Sequence, residues 1–240
     1  MSDDDLSKAS RLYGRRLGRP LKAARQSAVD TWLPRLGVTV PAEPASLDPV
    51  ALFATPDGSN TVREAWLEVG FGGGEHLLAQ AAAHPEAGLI GCEPFINGMA
   101  ALLREIDEQP ARAANIRLLM DDARPLIAAF RDASIARAFV LFPDPWPKAR
   151  HHKRRFVSRA NLDQLARVLK DGAELRLATD DPGYLQWMLV EMTDHPAFRW
   201  TARRPEDWRQ RPADSPKTRY EIKGLAGAAP AFMTWRRRPR

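Results

Sequence analysis

Five acids, Glu68, Glu93, Asp122, Asp144 and Asp180, each stand where a short apolar run ends, a position from which a carboxylate can hold a ligand or steady a cation. Glu68 opens the sequence E-x-G-x-G-x-G, in which Gly70 and Gly72 permit close backbone approach and a tight turn. Glu75 stands where the dinucleotide fingerprint G-x-G-x-x-G needs its third glycine. A carboxylate ahead of the loop suits a ligand that carries an ammonium and a sulfonium, and repels a pyrophosphate. Glu93 is placed to accept from both hydroxyls of a ribose. Asp121 and Asp122 are equal candidates to accept from an adenine amino group. Asp144 lies within FPDPWPKARHHKRR, whose prolines Pro143, Pro145 and Pro147 are expected to hold their predecessors extended, putting Asp144 and Trp146 on a stiff connector.

The elements that must position these acids are short and regular. AWLEVG, GLIGCE, NIRLLMDD, IARAFVLF and AELRLATD read as strands, each followed by a helical period. Met99, Leu102, Leu103 and Ile106 fall at i, i+3, i+4 and i+7, Leu162, Leu165, Ala166 and Leu169 repeat the pattern, and Leu185, Met188, Leu189 and Met192 form a third stripe. Asp171 and Gly172 are expected to end the second of these helices, and Asp180 or Asp181 with Pro182 to begin the third. Five strand-helix units predict an α/β, Rossmann-like, mostly parallel twisted sheet with helices on both faces and a ligand crevice outside the carboxyl ends of its strands. Shorter strands are expected at Phe198 to Thr201 and Phe232 to Trp235.

Residues 1 to 60 read as a basic, Pro-rich arm ahead of a domain over 61 to 240. Pro34, Pro41, Pro44, Pro49 and Pro56 argue against a long regular element there. The whole chain carries 36 Lys and Arg against 30 Asp and Glu, with a pI near 9.8, which favours a polyanionic partner. Arg11 to Arg25 and Lys148 to Arg159 each hold six cations and no acid, and Arg236, Arg237, Arg238 and Arg240 close the chain, a footprint larger than one phosphate. Within the second run, Lys148, Arg150, Lys153, Arg154 and Arg155 are the candidates for backbone phosphates. The single Cys92 cannot form an internal disulfide and the charged N-terminus lacks an apolar run, so a reducing cytoplasm and no membrane are expected. The five histidines show no ligand spacing, and no metal is expected.

The combination of LEVGFGGGE, IGCEP, DDA, FPDPWPKARHHKRR, LATD and TRYE resembles the bacterial tRNA (guanine-N7)-methyltransferases from about Tyr13 to the C-terminus. YGRRLGRPLKAAR resembles, more loosely, the basic segment ahead of the fold in related enzymes. The resemblance implies a class I methyltransferase fold with S-adenosylmethionine as cofactor, contacted by Glu68, Glu93, Asp122 and Asp144, the family's DA pair selecting Asp122 over Asp121. It implies tRNA as substrate, methylated at N7 of guanine 46, with contacts from Lys148, Asp180, Thr218, Arg219, Tyr220 and Glu221.

Guanine N7 is a lone-pair acceptor with no proton, so the transfer needs no base, and a fixed carboxylate at Asp144 would favour the cation that forms. Asp180 and Glu221 are expected to accept from guanine N1 and N2, with Trp146 or Tyr220 stacking on the base. The rival readings are a methyltransferase of the same fold acting on another RNA or a protein, an RNA-binding protein whose pocket is unused, and, more weakly, a nicotinamide dehydrogenase.

Overall fold

A computed structural model describes residues 14–55, 61–222 and 229–240. Arg11, Tyr13 and Pro56, named above, lie outside the described residues. The chain runs α1 (Ala23–Leu36), β1 (Glu64–Val69), α2 (Glu75–Ala83), β2 (Ala87–Cys92), α3 (Ile96–Glu108), β3 (Ile116–Leu119), α4 (Ala123–Ala129) and β4 (Ile135–Leu141). It continues through α5 (Arg159–Val168), β5 (Leu169–Thr179), α6 (Pro182–Thr193), β6 (Phe198–Trp200), α7 (Glu206–Arg209), α8 (Arg219–Ile222) and β7 (Ala231–Arg237). The sheet order is β3-β2-β1-β4-β5-β7-β6, with β1 to β5 parallel and β7 antiparallel to both β5 and β6. From β1 the chain winds one way through β2 and β3, then returns to the other side through β4 and β5. The break between β1 and β4 is the switch point at which such sheets bind ligands.

Alternation along the strands divides the core. Trp66 and Phe139 face α1, α2 and α3, whereas Leu67, Ala138 and Val140 face α4, α5 and α6. All five predicted parallel strands are present. Among the described residues no helix is long and apolar enough to cross a membrane, and no cluster of three or more His, Cys, Asp or Glu could hold a metal ion.

Three expectations need correction. The proline-rich segment does contain a long element, the 14-residue α1, because only Pro34 falls inside it, in the last turn, and the other prolines lie beyond its end. Ala28, Val29 and Leu36 bury against the face carrying Met99, Leu103 and Ile106, Trp32 Nε1 donates to Asp107 (3.1 Å), and Val38 N–H donates to the Leu118 carbonyl (2.8 Å).

Asp171 and Gly172 do not end α5. The helix stops at Val168 and passes straight into β5, where Gly172 (φ 75°) sits in a bulge opposite β4. The orphan carbonyls of the α5 terminus are met from elsewhere in the chain. Arg237 Nε donates to the Ala166 carbonyl (3.0 Å), and Arg240 donates to the carbonyls of Arg167 (2.6 Å) and Leu169 (3.0 Å) while pairing with Asp171 (2.6 Å).

The C-terminal arginines, expected in an RNA footprint, are thus bound by the protein itself. Arg236 donates to the Gly172 carbonyl and Arg238 to that of Phe198. Replacing the buried Arg237 by Ala is expected to destabilise the fold by about 1.5–3 kcal/mol, the usual worth of hydrogen bonds from a charged donor, read as a lower Tm.

Candidate active site

At the switch point the ends of β1, β2, β3 and β4 surround a cavity of about 650 Å3. Its floor is the loop between β1 and α2. Gly70 and Gly72 have φ of 74° and 57°, and a Cβ built on either would meet no atom within 4 Å, so the space over this loop is open to a ligand. From behind, α3 presses close: a Cβ on Gly98 would lie 2.4 Å from the Gly72 carbonyl oxygen.

Glu68, Glu93, Asp122 and Asp144 all line this cavity, as expected, with Asp121 beside them. Glu93 is buried and clasps the loop, accepting from the N–H of Gly72 (2.8 Å) and the N–H of Phe95 (2.9 Å). Burial raises its carboxyl above the usual range against these hydrogen bonds, with the charges of Asp144 and Glu68 adding to the rise. Each oxygen keeps a lone pair for a hydroxyl. Asp122 caps α4 through the N–H of Arg124 (3.0 Å) and pairs with that residue's guanidinium. Asp121 is half exposed and pairs with Arg16 (2.5 Å).

Asp144 stands across the cavity from the glycine loop. Asp144 is exposed at the cavity rim, and partial desolvation by the walls pushes its carboxyl above the ordinary aspartate range. The connector that carries it differs from expectation at two positions: Phe142 and Trp146, each followed by proline, have φ of 52° and 43° instead of extended values. Local steric preference gives way here to the packing of the connector. Arg155 supplies much of it. This residue is buried, its Nε donates to the Pro145 carbonyl (2.8 Å), and its guanidinium lies over Tyr184 (5.0 Å) and Trp187 (4.9 Å). Arg155 is therefore a brace for the Asp144 loop and is not available to a phosphate, which corrects its assignment to the RNA backbone. Arg154 covers Trp146 (4.9 Å) and lines the cavity. Lys148, just ahead of the 3-10 turn Ala149–Arg154, and Arg150 within it are exposed and lie off the cavity, whereas Lys153, also exposed, lines the cavity.

Of the remaining sequence candidates, Thr218 and Arg219 line the cavity, whereas Lys148, Arg150 and Asp180 lie outside its wall. Tyr220 sits in α8. The carboxylate of Glu221 turns away from the role of base acceptor: it takes hydrogen bonds from Arg211 and from the N–H and hydroxyl of Thr218 (3.0 Å each). Burial opposes its ionisation, but these partners outweigh it and hold the group below the usual range.

Sequence patterns missed two supports. His76 Nδ1 meets the buried Glu68 carboxylate at 2.8 Å, its ring edge-on to Phe139 at 4.7 Å; one histidine in the first turn after a glycine loop carries no recognisable spacing. Arg137 and Arg176, on β4 and β5, stand over Phe139 and share Glu174 and Asp214, so Asp214 ties the connection that leads to Thr218 onto the sheet. The basic N-terminal segment lies along the rim: Gly14 and Arg15 line the cavity, and the Arg16 carbonyl accepts from Ile96 N–H (3.0 Å).

Residues 63–233 match the family model described as "Putative methyltransferase". A tRNA (guanine-N(7)-)-methyltransferase of Rhodospirillum rubrum is 54% identical over 234 residues, 96% of this chain and 89% of that one. Its counterpart in Paramagnetospirillum magneticum is 47% identical over 96% of this chain and 94% of its own length. Among solved structures, the 16S rRNA methyltransferase KamB superposes with a TM-score of 0.53 at 16% identity, covering 75% of this chain and 90% of its own. A variant of the 16S rRNA (adenine(1408)-N(1))-methyltransferase from Catenulisporales acidiphilia gives 0.50 at 18% identity, over 84% and 96% of the two chains. These two likenesses establish the fold.

Proposed function

Because the chain belongs to the tRNA (guanine-N(7)-)-methyltransferase family, we propose that it methylates N7 of guanine 46 in the variable loop of tRNA, with S-adenosylmethionine as donor. The observation that carries this reading is the cavity at the switch point, where an open glycine loop and six carboxylates, Glu68, Glu75, Glu93, Asp121, Asp122 and Asp144, stand beside an exposed row of cations.

The residues fit such a cofactor. The open space over Gly70 and Gly72 admits it, the free lone pairs of Glu93 suit ribose hydroxyls, Asp122 suits an adenine amino group, and Glu68 suits the positive end. When bound, S-adenosylmethionine supplies an electrophilic methyl on a sulfonium. The protein has no proton to remove from N7, so its work is alignment and charge. Asp144, fixed by the Arg155 brace, offers a negative charge beside the base as the product cation forms. Lys148, Arg150 and Lys153 hold backbone phosphates without reading sequence.

Radiolabelled S-adenosylmethionine incubated with the chain and bulk tRNA is expected to label the tRNA. Label appearing in ribosomal RNA or protein, with tRNA blank, would contradict the substrate.

A further inference from the structure

Two acids of the cavity wall are held by backbone N–H groups, Glu93 by those of Gly72 and Phe95 and Asp122 by that of Arg124. Glu68 is held by a side chain. Alternation along β1 puts it on the sheet face that carries Trp66, between Gly91 of β2, which offers no side chain, and Phe139 of β4, with Arg176 of β5 beyond. The donor comes from α2. His76, in its first turn, sets Nδ1 2.8 Å from Glu68 Oε2, both side chains are 2% exposed, and the ring stands edge-on to Phe139.

A carboxylate this deep needs a donor to stay ionised. Other charges stand near, but they are committed elsewhere. Arg137 and Arg176, across Phe139, pair with Glu174 and Asp214, Glu75 on α2 pairs with Arg219 (3.0 Å), and Glu93 and Asp144 on the cavity wall carry the same sign as Glu68. The geometry also fixes the tautomer. An ionised carboxylate only accepts, so Nδ1 carries the proton. A protonated Glu68 donating to a bare Nδ1 would put the ring proton on Nε2, which is buried and has no partner, and a buried N–H without an acceptor is the rarer kind of orphan. We propose that His76 is a positioning residue of the cofactor site: its Nδ1–H holds Oε2 of Glu68, keeps that carboxylate ionised at neutral pH and leaves Oε1 to receive the ammonium of the bound cofactor. Naming the cofactor rests on the methyltransferase reading above.

The test uses the full chain, with calorimetry of S-adenosylmethionine between about pH 6 and pH 8. His76→Leu strands a buried carboxyl, which takes up a proton as pH falls and loses the charge that meets the ammonium. Its affinity deficit relative to wild type is expected to be roughly tenfold at the acid end and to shrink as pH rises. Taking the ratio of the two proteins cancels the titrations they share, those of Glu93, Asp144 and the cofactor's own amino group. His76→Asn places an amide N–H where Nδ1 stands and should restore wild-type affinity at every pH. Methylthioadenosine, which lacks the amino-acid arm, should bind all three proteins alike. A leucine variant equal to wild type, a deficit that is the same at every pH or is shared by methylthioadenosine, or an asparagine variant that restores nothing would overturn the proposal. Should the leucine variant fail to fold, nitrogen NMR of the wild-type imidazole decides: a proton on Nδ1 and a bare Nε2 are expected, and a bare Nδ1 overturns it. Wild-type chain that binds neither compound would sink the methyltransferase reading instead.

Discussion

Asp144→Asn is expected to lose about 10²–10³-fold in kcat while tRNA affinity stays at the wild-type value, because the change removes one negative charge and almost no volume. The loss belongs in kcat: a carboxylate facing a base that becomes cationic stabilises the transition state more than the neutral ground state. The raised carboxyl of Asp144 adds two further outcomes. Transfer should fall as pH drops through a value above the ordinary aspartate range, as the carboxylate takes up its proton, and this acid limb should vanish from the residual activity of the variant. A carboxyl raised by desolvation binds its proton more tightly folded than unfolded, so its ionised form opposes folding at neutral pH. The asparagine variant should therefore melt no lower than wild type at pH 7, and a lower Tm there would show that Asp144 holds the loop in place of serving the chemistry.

The second large effect separates cations that touch RNA from the cation that builds the loop. Arg155→Met removes a buried guanidinium, orphans the Pro145 carbonyl and strips two aromatic faces. It should destabilise the fold by about 2–4 kcal/mol and depress kcat, since Asp144 loses its brace. The salt dependence of tRNA binding should not change. Replacing Lys148, Arg150 and Lys153 together by Ala should do the converse, leaving Tm near wild type and lowering the slope of log affinity against log salt by about 2–3, one phosphate per cation. A flattened slope in Arg155→Met, or an unchanged slope in the triple variant, would reverse the assignment of this segment.

These two experiments show where sequence reasoning reached and where it stopped. The parallel strands were legible because each is a short apolar run with a helical period after it, and four of the five acids at their ends were legible because sheet topology carries strand ends to one place; Asp180, just past β5, falls outside the cavity wall. Burial of a cation was not legible. Arg155 sits last in a run of exposed cations, and only Tyr184 and Trp187 of α6, some 30 residues on, turn it inward. The same limit hid the roles of Arg237 and Arg240, which look like a basic tail and close the end of α5. Glu221 shows a subtler failure. Its spacing from Thr218 is that of a capping box, but an acid in a segment expected to bind substrate was read as a contact with the base, and Arg211, ten residues upstream, gave no local signal of the pair.

Proline rules failed in an informative place. Phe142 and Trp146 take left-handed backbone ahead of proline beside Asp144, and the surrounding contacts of Arg154 and Arg155 hold that geometry.

The central claim is methylation at N7 of guanine 46, and the most direct measurement is chain cleavage. N7-methylguanine is opened by borohydride and cut by aniline, so tRNA treated with the chain and S-adenosylmethionine is expected to break at guanine 46 of the variable loop, and untreated tRNA to stay whole. Labelled tRNA that resists aniline, or that breaks elsewhere, would contradict the account.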